Sequence, residues 1–176
     1  MPLFRKRLLV PAAALIVGLT LAGCSGGDPG GTQPAAETGP SGRAVQTTAI
    51  GETATVLISE GNVASVTVLS VERPDFVEGR PGLTSVPEKG FLRLEVAWKT
   101  EEGVTDARST SFSVEDPEGN RTVPEQLVID GATLWNDGIA AGEEDSGYLT
   151  FDVPAGPQTL VLRNGSHEDA AYFDIP

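Results

Sequence analysis

The stretch GFLRLEVAWKT, residues 90–100, sets Leu92, Leu94, Val96 and Trp98 on one side of an extended chain and Arg93, Glu95, Ala97 and Lys99 on the other. Side chains of a strand alternate with period two, so this spelling demands a sheet with one face against a core and the other against water. YLTFDVP repeats the device, with Leu149, Phe151 and Val153 opposed to Tyr148, Thr150 and Asp152. ATVLIS, VASVTVLSVE, TSFSVED, TLVLRN and AAYFDIP are further β-rich runs, and the clusters SEGN, RPGL, DPEGN, NDG, PAGP and NGS divide them as turns. No sustained helical spacing occurs. The pattern predicts an all-β domain over residues 51–176, an immunoglobulin-like antiparallel β-sandwich of about 7–9 strands. A closed barrel is the competing architecture.

What can hold such a domain together is limited by Cys24, the only cysteine in the chain. A single thiol leaves no intramolecular disulfide and no thiolate metal site, so packing of the two sheets has to supply the stability. Trp98 falls on the apolar face of its strand and is expected in the core.

The cysteine itself belongs to a different part of the chain. Arg5, Lys6 and Arg7 precede an apolar run from Leu8 to Ala22, which falls short of the roughly 20 residues a membrane-crossing helix needs. Charged start, apolar middle and small residues at the end are the parts of a secretory signal peptide. Leu21-Ala22-Gly23-Cys24 resembles the lipobox of bacterial lipoproteins, which implies cleavage before Cys24 and lipidation of its thiol. Residues 1–23 are therefore expected to be a lipoprotein signal peptide. Residues 24–50, rich in Gly, Pro, Ser and Thr, are expected to be the lipidated cysteine and a flexible linker. The predicted location is the extracytoplasmic face of the cell membrane, held there by acyl chains.

Charge narrows the partners. The chain carries a formal charge of −13, and removing the three basic residues of the leader, which has no acid, takes it to −16. Such a field repels phosphate backbones and anionic headgroups, so no nucleic-acid partner is expected and membrane attachment rests on the lipid. A protein of the cell envelope is the expected partner.

The chemistry available is thin. The sole imidazole, His167, sits in the polar turn NGSHED, and adjacency to Ser166, Glu168 and Asp169 along a turn does not make a nucleophile–base pair. It is read as a solvated turn residue, and no catalytic residue is assigned. Carboxylate pairs for glycoside chemistry exist in any chain with 25 acids, and abundance deprives them of meaning. Asp116, Glu118 and Asn120 place oxygen ligands around a glycine, yet they break the spacing of a calcium loop and read better as a hairpin turn. Glu143, Glu144 and Asp145, the longest acidic run, form the candidate metal site. Trp135, with Asn136 and Asp137 beside it, is the candidate binding site, because an aromatic among polar turn residues is the kind of side chain that anchors an interface. No cofactor motif is present. The reading is a non-enzymatic binding or protein-interaction module, with a small-ligand or divalent-metal-binding lipoprotein as the alternative and a hydrolase well behind.

GNVASVTVLSVE, KGFLRLEVAWKT, SFSVEDPEGN and, above all, IAAGEEDSGYLTFDVPAGPQTLVL together resemble the DUF4352, telokin-like family of bacterial extracytoplasmic proteins, the MPT63/MPB63-like group. Its most specific part is an acceptor-rich turn followed by G-x-L-x-F-D-V-P and an apolar strand. Trp98-Lys99-Thr100 departs from it where many members place an asparagine. The resemblance implies an immunoglobulin-like sandwich and no shared catalytic residues.

Overall fold

The structure, a computed structural model, describes residues 45–78, 84–126 and 133–176. The leader, Cys24 and the linker up to residue 44 lie outside the described residues.

Among the described residues thirteen strands follow one another: β1 Gln46–Thr48, β2 Thr53–Ser59, β3 Asn62–Glu72, β4 Val77–Glu78, β5 Thr84–Ser85, β6 Phe91–Glu102, β7 Val104–Arg108, β8 Phe112–Glu115, β9 Arg121–Thr122, β10 Trp135–Ala140, β11 Glu144–Asp152, β12 Gln158–Arg163 and β13 Asp169–Ile175. One 3-10 turn, Ser109–Ser111, is their only helical interruption there. β11, β6, β3 and β2 form a four-stranded antiparallel sheet, and β1, β13, β12, β8 and β9 a five-stranded one. β7 and β10 make a separate two-stranded ribbon, and β4 pairs with β5.

Alternation explains why the two sheets close on one another. Leu92, Leu94, Val96 and Trp98 of β6, Leu149 and Phe151 of β11 and Val153 just after it are all buried, as are Leu160, Leu162, Phe173 and Ile175 from the opposite sheet. Each such side chain contributes about 1.5–3 kcal/mol by leaving water. Trp98 meets Phe112 of β8 edge to face, with ring centroids 6.3 Å apart and planes at 78°, a geometry aromatic pairs prefer. This pair bridges the two layers.

The G-x-L-x-F-D-V-P run acquires a physical meaning here. Leu149, Phe151 and Val153 are its core face. Gly147 is required because a Cβ there would lie 2.5 Å from the backbone nitrogen of Leu134, where residues 133–134 run alongside β11 in a parallel bridge and Leu134 N–H donates to Tyr148 O at 3.2 Å. Asp152 reaches back to the loop before β6: its Oδ2 accepts from Glu88 N at 2.7 Å, and its Oδ1 from Lys89 N at 2.8 Å and Gly90 N at 3.0 Å.

Two expectations need correction. The sheet begins at Gln46, inside the segment read as linker, because β1 pairs in parallel with β13 from Gln46 against Ala171 to Thr48 against Phe173. Its residues QTT are too short and too polar to display an apolar alternation. NDG is a bulge inside β10 rather than a turn between strands: the register slips between Asn136 and Ile139, and Gly138 takes φ +73° to permit it. VTDAR, not among the β-rich runs of the sequence, is a further strand, β7, whose inward residues Thr105 and Ala107 are buried but too small or polar to stand out.

Candidate functional site

The β7–β10 ribbon presents an outer face made by Val104, Asp106 and Arg108 on one strand and by Trp135, Asp137 and Ala140 on the other. Trp135 is paired with Arg108 across the ribbon and leaves 54% of its surface in water, unusual for so large an apolar ring. It is held in place from one side. The Arg108 guanidinium lies 5.8 Å from the indole centroid, within the range of cation–π attraction.

That guanidinium is in turn fixed by two carboxylates. Its Nε donates to Asp137 Oδ1 at 2.7 Å, and its Nη2 lies 3.2 Å from Asp106 Oδ2. The other oxygen of Asp106 accepts the Gly138 N–H at 2.9 Å, which ties the bulge into the same cluster. The hydrogen bond to Asp137, then the charge of Asp137, push the Arg108 pKa above its already high ordinary value, so the cation under Trp135 is permanent. Of the expected trio, Trp135 and Asp137 come together through Arg108, whereas Asn136, opposite Ala107, falls on the alternate face. Arg108 and Asp106 escaped the sequence reading; the signal that could have found them is the alternation of VTDAR against WNDG.

Next to this patch, at one end of the sandwich, lies a cleft of about 510 Å³ between the β2–β3 turn, β7 and the β12–β13 turn. Arg108, Arg163, His167, Asp106, Asn62 and Ser111 are among its lining residues. Asn62 and Asp106 are committed elsewhere: Asn62 donates to Ser59 Oγ at 2.7 Å and accepts from Val104 N at 2.9 Å. His167 stands exposed in its turn with φ +63°. The turn is built by Asn164, whose Oδ1 accepts from Ser166 N at 2.9 Å and Glu168 N at 3.0 Å. Among the described residues no side-chain hydrogen bond joins His167 to a serine or a carboxylate, and no nucleophile–base pair is assembled.

The remaining candidates resolve into turn chemistry. Asp116 Oδ1 accepts from Glu118 N at 3.0 Å and Asn120 N at 2.8 Å, and Oδ2 from Asn120 Nδ2 at 2.9 Å. The bonds from Asn120 hold the Asp116 pKa below its ordinary value, so its oxygens serve the hairpin. The structure does not gather Glu143, Glu144 and Asp145. Glu143 Oε2 caps its own turn at Ala140 N, 3.0 Å away, while Glu144 and Asp145 pair with Lys99 and Trp98 respectively and so point to opposite faces of β11. Among the described residues no three His, Cys, Asp or Glu side chains meet as a metal-holding group.

No family model and no curated protein matches the chain. Solved structures do. The secreted protein MPT63 of Mycobacterium tuberculosis is similar over 74% of this chain and 98% of its own, with TM-score 0.58 and 18% identity. The shared fold is an all-β sandwich. The YjhA protein of Bacillus subtilis matches over 73% of this chain and 98% of its own, with TM-score 0.55 and 18% identity. The YcdA protein of the same organism matches over 70% of this chain but only 39% of its own, with TM-score 0.51. At such identities the likeness is one of fold.

Proposed function

We propose that this chain is a lipid-anchored extracytoplasmic module of the DUF4352 kind that binds a protein of the cell envelope through the Trp135–Arg108 patch and catalyses no reaction. The observation that carries the reading is the pairing of a ring 54% exposed with a guanidinium pinned by Asp106 and Asp137. A pre-ordered aromatic and arginine are the residue types that dominate interface energies, because they bury much area while losing little freedom on binding. The lipobox at Cys24 supports the anchor, and likeness in fold to a secreted protein supports the side of the membrane.

Affinity capture on the lipid-anchored chain, followed by reconstitution with the purified captured protein, tests the patch. Trp135→Ala is expected to weaken the reconstituted complex by about thirtyfold, the equivalent of a hot-spot residue. Equal affinity for wild type and variant overturns the patch. Palmitate-analogue labelling of wild type against Cys24→Ala tests the anchor separately, and labelling that persists in the variant refutes it.

A further inference from the structure

The end cleft contains a cation without an acceptor. Five arginines fall among the described residues, and four are engaged: Arg73 with Gly156 O at 2.7 Å, Arg93 with Glu72 at 3.8 Å, Arg108 with Asp137 at 2.7 Å and Arg121 with Asp169 at 2.7 Å. Arg93 Nε and Arg163 Nε are both buried from water without a hydrogen-bond partner, but Arg93 has Glu72 and the Tyr148 ring, 3.7 Å away, to face, whereas no side-chain hydrogen bond or ion pair engages Arg163, in a domain crowded with acids. A buried donor left unpaired is costly, and a guanidinium Nε is rarely left so.

The carboxylate across the strand pair feels the charge of Arg163 but accepts its hydrogen bonds from other donors. Asp169 is the cross-strand neighbour of Arg163, but its Oδ1 takes Arg121 Nη1 at 2.9 Å and its Oδ2 takes both Arg121 Nη2 at 2.7 Å and Tyr172 Oη at 3.0 Å. Asp106, the carboxylate of the cleft lining, is spent on Arg108 and the Gly138 N–H. In the cleft lining Arg108 and Asp106 offset one another, which leaves Arg163 as a cation without an ion pair beside the donor groups of His167 and Ser111, on a strongly acidic protein.

We propose that this cleft binds a small organic carboxylate, with Arg163 as its principal donor. The volume of about 510 Å³ lies in the range of small-molecule sites. The planar guanidinium fork matches the two oxygens of a carboxylate edge on. Ser111 and Ser59 on the cleft walls supply hydroxyls for the rest of such a ligand. This site borders the protein-binding patch and shares Arg108 and Asp106 with it, but it depends on Arg163, which that patch does not use.

The test is calorimetric titration of the full chain with succinate and, separately, with inorganic phosphate, for wild type, Arg163→Gln, Arg163→Lys and the remote Lys89→Gln. Succinate is expected to bind wild type and Lys89→Gln alike. Arg163→Gln is expected to raise Kd at least tenfold, and Arg163→Lys to raise it by a smaller factor because charge survives and the fork does not. Thermal melts of the same variants confirm that each is folded. If Arg163→Gln does not fold, the folded Arg163→Lys and the Nε–H resonance of Arg163 in wild type decide: an unmoved resonance on saturation with succinate overturns the site. Absence of succinate binding, or binding untouched by Arg163→Gln, also overturns it. Binding of phosphate in preference to succinate overturns the carboxylate assignment.

Discussion

Trp98 Nε1 donates to Thr105 Oγ1 at 2.8 Å, joining β6 to β7 in the interior of the domain. Thr105 Oγ1 lies 2.6 Å from Thr100 Oγ1, which itself donates to Ile139 O at 3.0 Å. An indole N–H can only donate and a carbonyl can only accept, so the chain of bonds has one direction: indole, Thr105, Thr100, backbone of β10. Both hydroxyls are buried, and every member is satisfied, which is the condition under which a buried polar network fixes a unique arrangement.

Thr105→Val keeps the shape and strands the indole N–H. The expected cost is about 1–3 kcal/mol, the penalty for an unsatisfied buried donor, read as a lower midpoint in urea unfolding. Loss of less than about 0.5 kcal/mol, at the low end for a hydrogen bond, would show that water replaces the hydroxyl.

Gly147→Ala places a methyl group 2.5 Å from Leu134 N and 2.6 Å from Leu134 Cα. Both are backbone atoms and cannot step aside as a side chain would. The parallel bridge of residues 133–134 to β11 should be displaced, with destabilisation of about 1–3 kcal/mol or more, typical of overpacking. Hydrogen exchange at the Leu134 amide is the local readout, and its unchanged protection would contradict the close approach.

Asp152→Ala removes the acceptor for three backbone N–H groups of the loop at 88–90. Limited proteolysis should then cut near Lys89 in the variant well before the wild type. The loss in stability is expected at about 1–2 kcal/mol, because the site is close to solvent and water can replace part of the interaction.

Acid should destabilise this domain through specific aspartates. The hydrogen bond from Arg121 holds the Asp169 pKa below its ordinary value against the opposing effect of burial, with Tyr172 and the charges of Arg121 and Arg163 adding to it. At Asp152 burial raises the pKa, but the N–H groups of Gly90, Glu88 and Lys89 together with the charge of Lys89 overcome it and leave the value lowered. A depressed folded pKa means that stability is fully present above the unfolded value of about 3.9 and is lost as pH falls through the folded value. Unfolding free energy should therefore fall below about pH 4, and Asp169→Asn should flatten that slope while costing about 1 kcal/mol at neutral pH, discounted for the partial exposure of the pair. An unchanged slope in Asp169→Asn would remove the Arg121 pair from the account.

His167 adopts φ +63°, a conformation that costs a β-branched residue about 1–2 kcal/mol and glycine nothing. His167→Gly should leave the melting temperature unchanged or raised, and His167→Val should lower it. Equal melting of the two would show that the turn rearranges.

Strand positions with large apolar residues were legible from sequence because period two survives in β3, β6, β11, β12 and β13, where every inward residue from Leu92 to Trp98 is bulky. β7 was not, since Thr105 and Ala107 face inward without bulk and the acids and arginine beside them suggest a loop. The NDG bulge shows the same limit from the other side: asparagine, aspartate and glycine signal positive φ, and both a turn and a bulge use it. Trp135 and Asp137 were found by chemistry, but Arg108 and Asp106 became visible only when β7 and β10 were side by side. Arg163 could not be singled out in advance, because being unpaired is a property of the assembled neighbours.

The parallel pairing of β1 with β13 also has a mechanical side. Tension entering from the chain before Val45 reaches Gln46–Thr48 first, and a pull along the strand axis loads the bonds of that pair together, in shear, instead of unzipping them in turn. A short stitch at the entrance to the sandwich thus lets its body stay closed under a pull that would peel apart an unzipping pair.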